Sequence, residues 1–300
     1  MFAGACLGAW LFVGPLQAED YTVVTATAAA AAGKADAQYF LAKCYAHGTG
    51  VTQDYVHAAT CLQQAAEQGF IYAQTDLAGL YADGKGVKQD WSEACKWYRK
   101  AAEQGDPLAQ YGLGICYAEG RGVTQDLATA REWYLKAAQQ NQVAAQCALG
   151  QLYFQSATRS AAQSDTNYLA DYRNAAQWLG RAAEKGYVPA MNNLGFLYEN
   201  GSGVEKNYAT AARWYRAAAE QGDAKAQGNL GTLYEEGNGV PHDFVQAFKW
   251  FQLSARQGDP IGRRYVEDYL AHRRLTPEQQ QEAERMARDF LTQQAAKKSK

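Results

Sequence analysis

Tyr81-Ala-Asp-Gly84-Lys-Gly86-Val87-Lys-Gln-Asp90-Trp91-Ser-Glu-Ala94-Cys95-Lys-Trp97-Tyr-Arg-Lys-Ala101-Ala102-Glu-Gln-Gly105 is a sentence that this chain writes repeatedly. Tyr117–Asn141, Tyr198–Gly222 and Tyr234–Gly258 follow the same template, and Tyr45–Gly69 is a weaker copy. Self-similarity at a fixed period marks a repeat architecture. It points to a binding scaffold and away from a single active site.

The tyrosines Tyr45, Tyr81, Tyr117, Tyr153, Tyr198 and Tyr234 are spaced 36, 36, 36, 45 and 36 residues apart. Four residues before each stands a leucine, from Leu41 to Leu230, and eight before stands an alanine, from Ala37 to Ala226. Offsets of four put these residues on one helical stripe, which defines helix A of each unit. A small residue, Ala78 or Gly114 for example, lies between leucine and tyrosine. Glycine inside a helix costs about 1 kcal/mol against alanine, so another helix is expected to approach there.

Glycines three and five residues after the tyrosine read as a left-handed helix cap and a tight loop. Asp54, Asp90, Asp126, Asn207 and Asp243 then suit the N-cap of helix B, with Asp171 in that place in the fourth unit. Glu93 and Gln246, three residues beyond their caps, are expected to complete capping boxes. Helix B carries a stripe of Ala, then Trp97, Trp133, Trp178, Trp214 or Trp250, then an Ala-Ala pair, and closes at glycine or Asn141. The tryptophans and tyrosines at this spacing read as core. Neither helix can bury its stripe within one pair, and stacking pairs buries both.

The expected fold is therefore all-α, a right-handed α-solenoid of stacked antiparallel helix pairs. Repeats run 34–69, 70–105, 106–141, 142–186, 187–222 and 223–258. The fourth has nine extra residues after Tyr153 and lacks the turn glycines, which reads as an extended A–B loop. Residues 19–33 read as a half-repeat cap. Residues 259–291 read as a helical cap, with Thr276-Pro277 starting a helix that ends near Phe290-Leu291, and 292–300 as a frayed basic tail.

Phe2–Leu16 is apolar and uncharged, and Gln17-Ala18 precedes Glu19-Asp20, so residues 1–18 read as a signal peptide. The expected location is periplasmic or secreted, with a cytoplasmic chain as the alternative. The mature chain has no membrane span in this reading. Cys6 falls within that segment, and five cysteines remain. Cys44–Cys61 or Cys95–Cys116 could be bridged in an oxidising compartment. Against this, Cys44 and Cys116 fill a slot held elsewhere by leucine, where a free cysteine serves as a small hydrophobe.

With 29 basic and 31 acidic residues the net charge is −2, which gives no basic field for nucleic acid. The Gly-x-Gly turns follow helices, lack a third glycine and lack Gly-Lys-Ser/Thr, so they are not phosphate loops. His47, His57, His242 and His272 share no metal spacing. No catalytic, cofactor or metal residue is assigned, and no cofactor is expected.

The template Ala-x-x-x-Leu-Gly-x-x-Tyr-x-x-Gly-x-Gly-Val-x-x-Asp, followed by Ala-x-x-Trp and Ala-Ala-x-x-Gly, resembles the Sel-one-like repeat family. Ala109–Gly122 and Ala226–Gly239 carry it most closely. That family is a branch of the tetratricopeptide superfamily. The resemblance implies adaptor work: a monomeric protein-interaction scaffold, not an enzyme, binding a segment of a partner protein in a concave groove. It further implies that helix A positions two and five before the tyrosine line that groove. Lys43, Ile115, Gln151, Asn193, Phe196, Asn229 and Thr232 are the candidate contacts. Among them two amides and an aromatic, Asn193, Asn229 and Phe196, suit a peptide backbone and an anchor side chain. The alternative is a secreted envelope enzyme that binds or hydrolyses β-lactams, as a cysteine-rich group of the family suggests. This chain lacks that group's cysteine spacing.

Overall fold

A computed structural model describes residues 21–162 and 168–298. The signal-peptide reading of 1–18, Cys6 and residues 163–167 of the fourth-repeat insert lie outside them. Among the described residues fifteen helices follow one another: α1 (Val23–Ala31), α2 (Ala35–His47), α3 (Tyr55–Glu67), α4 (Ile71–Asp83), α5 (Trp91–Glu103), α6 (Pro107–Glu119), α7 (Leu127–Gln139), α8 (Val143–Ala162), α9 (Tyr168–Glu184), α10 (Val188–Asn200), α11 (Tyr208–Ala219), α12 (Ala224–Glu236), α13 (Phe244–Arg256), α14 (Pro260–Ala271) and α15 (Pro277–Lys298). There is no strand among the described residues. The chain divides into two compact units at Ala145/Gln146, within α8. Each is an α-solenoid segment in which consecutive helices pack on one another.

Helices within a pair meet through small residues. A Cβ on Gly195 of α10 would lie 2.7 Å from the Tyr215 ring of α11, and one on Gly231 of α12 would lie 2.7 Å from Phe251 of α13. Gly114 of α6 receives Tyr134 of α7 in the same way. The ring that enters is thus the residue after the tryptophan. Tyr98, Tyr134, Leu179, Tyr215 and Phe251 are all buried, whereas Trp133, Trp214 and the six helix A tyrosines are only half-buried. The deepest row is therefore one place along from the expected one. Even the buried Trp97 has a face open to a cation: Lys100 rests on its ring at 3.8 Å, and Lys136 rests on Trp133 at 3.9 Å.

The turns are built as their glycines require. Gly48, Gly84, Gly120, Gly201 and Gly237 cap helix A with φ between 67° and 71°. The second glycine serves stacking. A Cβ on Gly122 would overlap the backbone of Trp91 at the start of α5, in the preceding repeat. Gly86 lies on Tyr55, Gly203 on Tyr172 and Gly239 on Tyr208 in the same manner.

Asp54, Asp90, Asp126 and Asp243 each accept from two backbone amides of the first turn of helix B, and Asn207 accepts from one. The expected capping boxes at Glu93 and Gln246 do not form. The Asp90 and Asp243 N–H groups already donate to the Tyr81 and Tyr234 carbonyls, both at 2.9 Å. Glu93 instead pairs with Lys96 at 2.6 Å.

A buried amide relay joins the repeats. Gln74 donates to the Ala66 carbonyl at the end of α3 and accepts from Gln104 at the end of α5. Gln110 does the same between Ala102 and Gln140, and Gln227 between Ala219 and Gln257. Each of these carbonyls also accepts from the N–H of the closing glycine, Gly69, Gly105 or Gly222, at 3.0 Å, and the glutamine supplies a second donor that crosses to the next repeat.

The fourth repeat departs from the expected extended loop. Helix α8 runs 20 residues and α9 runs 17, against 13 in α6 and in most of the others. Without a left-handed glycine after Tyr153, nothing stops helix A, and the insert adds turns to both helices. Asp171 accordingly lies in the first turn of α9 and not at its N-cap. At the C-terminus the helix that was expected to end near Leu291 continues to Lys298. Residues 292–298 are thus helical where a frayed tail was expected, and Gln294 donates to the Glu220 carbonyl. The helix does start at Thr276-Pro277, where Gln279 N donates to Thr276 Oγ1 and Thr276 N donates to Gln279 Oε1.

Cys95 and Cys116 form a disulfide, with Cα atoms 6.2 Å apart, so Cys116 is not the free hydrophobe that its slot suggested. Cys44 and Cys61 are free.

Gly105 has φ +97° with nothing within 4 Å of an added Cβ, while Gly122 has φ +69° and meets the Trp91 backbone. Gly105→Ala should therefore lose about 1–2 kcal/mol of stability for backbone strain alone. Gly122→Ala should lose more, roughly 2–4 kcal/mol, because two repeats must part. Urea unfolding of the two variants decides this, and equal losses would contradict the stacking role of Gly122.

Candidate partner-binding face

The candidate contacts fall on both units and differ in character. In the first unit Lys43 of α2 and Ile115 of α6 are buried, at 8% and 6% exposure. The Lys43 ammonium lies 5.5 Å from the centre of the Tyr39 ring. Burial lowers its pKa, and the charge of Asp76, itself buried on α4, works against that lowering. Tyr98 of α5, also buried, has its phenol pKa raised, first by burial and then by Asp83, Asp76 and Asp106. Asp106 caps α6 by accepting from Ala109 N, and also accepts from Thr75 Oγ1 of α4 at 3.1 Å. Burial raises its pKa despite those bonds. This face is therefore packed and ionic, and it offers little accessible surface.

In the second unit the same register is open. Gln151, Asn193, Asn229 and Thr232 are half-buried, and Phe196 of α10 is 43% exposed. Phe196 stands edge-on to Phe154 of α8, with centroids 5.8 Å apart, and Phe154 in turn contacts Tyr172 of α9 at 5.6 Å. Asn229 Nδ2 donates to Asn192 Oδ1 at 3.0 Å, tying α12 to α10. Asn192 and Phe196 are four residues apart, so the amide pair and the ring share one helical face. Thr232 returns its hydroxyl to the Gly228 carbonyl of its own helix. The structure thus links Asn229 to Asn192 and seats Phe196 on the aromatic run.

Asn192, Phe154 and Tyr172 were not among the residues singled out from the sequence. Asn192 lies outside the two register positions considered, and Phe154 belongs to the insert, where the period breaks. Nearby, Tyr215 donates to Glu199 Oε2 at 2.6 Å, and burial followed by that carboxylate raises its pKa.

Among the described residues the three free thiols all have raised pKa values. Burial pushes Cys44 and Cys61 up, and Cys147 up to about 12. A catalytic cysteine needs the opposite shift. Among the described residues no group of three His, Cys, Asp or Glu side chains could hold a metal ion, and no helix is long and apolar enough to cross a membrane.

The Sel1 repeat model matches the chain six times, at residues 35–70, 71–106, 107–142, 143–187, 188–223 and 224–259. The chain belongs to the Sel1 repeat family. A Sel1 repeat protein from Oxalobacter formigenes is 30% identical, covering 85% of this chain and 95% of its own, with a TM-score of 0.68. The protective antigen c5321 of uropathogenic Escherichia coli, which displays the same fold, is 30% identical over 92% of this chain and 72% of its own, with a TM-score of 0.41. The immunity protein Pa5087 of Pseudomonas aeruginosa is 22% identical, covering 87% and 90%, with a TM-score of 0.45. No curated protein matches the chain. Sel1 repeat proteins bind proteins, and their fold is typically an interaction scaffold that is generally non-catalytic.

Proposed function

We propose that this Sel1 repeat protein is an adaptor of the bacterial envelope. It binds a segment of a partner protein on the helix A face of its second unit. The observation that carries this reading is the exposed Phe196 ring, braced by Phe154, beside the Asn192–Asn229 amide pair. The Asn229–Asn192 bond orients both amides, so that each presents hydrogen-bonding groups to a peptide backbone. Phe196 supplies the apolar contact area of an anchor site. Asn193 completes the set, with Gln151 and Thr232 at its margins. Lys43 and Ile115, being buried, act as support.

The envelope location rests on two features. One is the apolar leader with its small residue at Ala18. The other is the Cys95–Cys116 disulfide, since such bridges persist in oxidising compartments.

Affinity capture from envelope extract should recover partner with the unaltered chain and lose most of it with Asn193→Ala/Phe196→Ala/Asn229→Ala. Equal recovery by both would refute the assignment of this face. Amino-terminal sequencing of the chain from a periplasmic extract should begin at Glu19. A chain retaining residues 1–18 and found only in the cytoplasm would overturn the envelope location.

A further inference from the structure

The joint between the second and third repeats is unlike its counterparts. Helix α5 meets α6 through the Cys95–Cys116 bridge. The equivalent places hold Ala59 and Leu80 between the first and second repeats, and Ala212 and Leu233 between the fifth and sixth, all buried. A covalent link thus stands where these two joints have alanine–leucine packing. Helix α6 is also bare on the side that faces α5. At Gly112 an added Cβ would lie 2.8 Å from the Tyr98 ring. The corresponding position of α4 carries Asp76.

Bonded sulfurs sit about 2 Å apart in any disulfide. Two thiols in the same place must withdraw to non-bonded contact, roughly 3.5–4 Å for heavy atoms. Cleaving the bridge therefore forces α5 and α6 apart or forces their side chains to turn, in a close-packed interior that resists both. Cys95 and Cys116 are also only 2% and 0% exposed. A reductant reaches the bond only when the joint opens, so opening and reduction are coupled.

We propose that the Cys95–Cys116 bridge is a redox lock on the joint between the second and third repeats. It closes in an oxidising compartment and is released by a dithiol reductant. In the release step a thiolate of the dithiol attacks one sulfur, and the S–S bond breaks. The other cysteine leaves as a thiolate and takes up a proton, and the second thiol of the reductant then attacks the mixed disulfide, closes its own disulfide and frees the sulfur first attacked. The protein gains two electrons and two protons as two thiols, and the dithiol is oxidised by the same amount. The lock holds α6 in register on α5. Its release loosens that joint without dissolving the joints that are packed by alanine and leucine. The lock belongs to the stack itself and is independent of the partner-binding face.

The test is hydrogen exchange of the full chain, oxidised and after treatment with dithiothreitol. Alongside it runs the variant Cys95→Ala/Cys116→Leu, which copies the Ala59–Leu80 and Ala212–Leu233 pairs. In the unaltered chain, reduction should speed exchange in α5 and α6 by about tenfold or more, as for a local opening, and leave α10–α13 unchanged. The variant should exchange alike with and without dithiothreitol. Unchanged exchange in α5 and α6 on reduction would overturn the proposal. So would loss of protection throughout the chain, a variant that also responds to dithiothreitol, or free thiols at Cys95 and Cys116 in protein prepared under oxidising conditions.

Discussion

A helix that ends inside a stack leaves its last carbonyl groups without intrahelical partners, and donors from outside the helix must supply them. In this protein the closing glycine N–H supplies one donor, and a glutamine side chain from the next helix A supplies a second. Gln74, Gln110 and Gln227 each turn an amide toward the end of the preceding helix B and take a second amide from their own repeat's closing glutamine. The bond satisfies a buried acceptor and also sets the distance and register between neighbours. In the fifth repeat Met191 takes the place, and Gln221 lies 3.6 Å from its sulfur.

At the other end of each pair the constraint is steric. The second turn glycine rests on the backbone of the preceding helix B, where no side chain fits. Amide relay at one end and glycine contact at the other fix the second repeat on the first, the third on the second and the sixth on the fifth. The helix A positions between these two fixed ends are then free to vary. In the first unit they have been used for a buried lysine and aspartate, and in the second for amides and an exposed ring.

The framework was legible in the sequence because the same physics recurs at a fixed period. The alanine–leucine–tyrosine stripe, the aspartate caps and the left-handed glycines each appear where the spacing puts them. Single positions were harder to read. Glu93 had the spacing of a capping box, but the amide it would have bonded was already taken by the Tyr81 carbonyl, a tertiary fact. The tryptophans read as core, yet the deepest rings are their neighbours, because those meet the glycines of helix A. The glutamines after Ala73, Ala109 and Ala226 recur nearly as regularly as the leucines, and a polar residue in register was the available sign of the relay. The face carrying Asn192 and Phe154 was the least legible, since function there depends on what the copies do not share.

Stability thus resides in the recurring contacts between repeats, and recognition in the non-recurring face. Gln110→Leu and Asn193→Ala, compared by urea unfolding and by partner capture, test that separation most directly. Gln110→Leu removes two hydrogen bonds that cross between repeats, leaving the Ala102 carbonyl only its backbone donors and the Gln140 amide only the Gly105 carbonyl, and it should lose about 1–3 kcal/mol. Asn193→Ala should stay within about 0.5 kcal/mol of the unaltered chain while weakening capture. A Gln110→Leu chain as stable as the unaltered one, or an Asn193→Ala chain that unfolds as easily as it loses its partner, would contradict it.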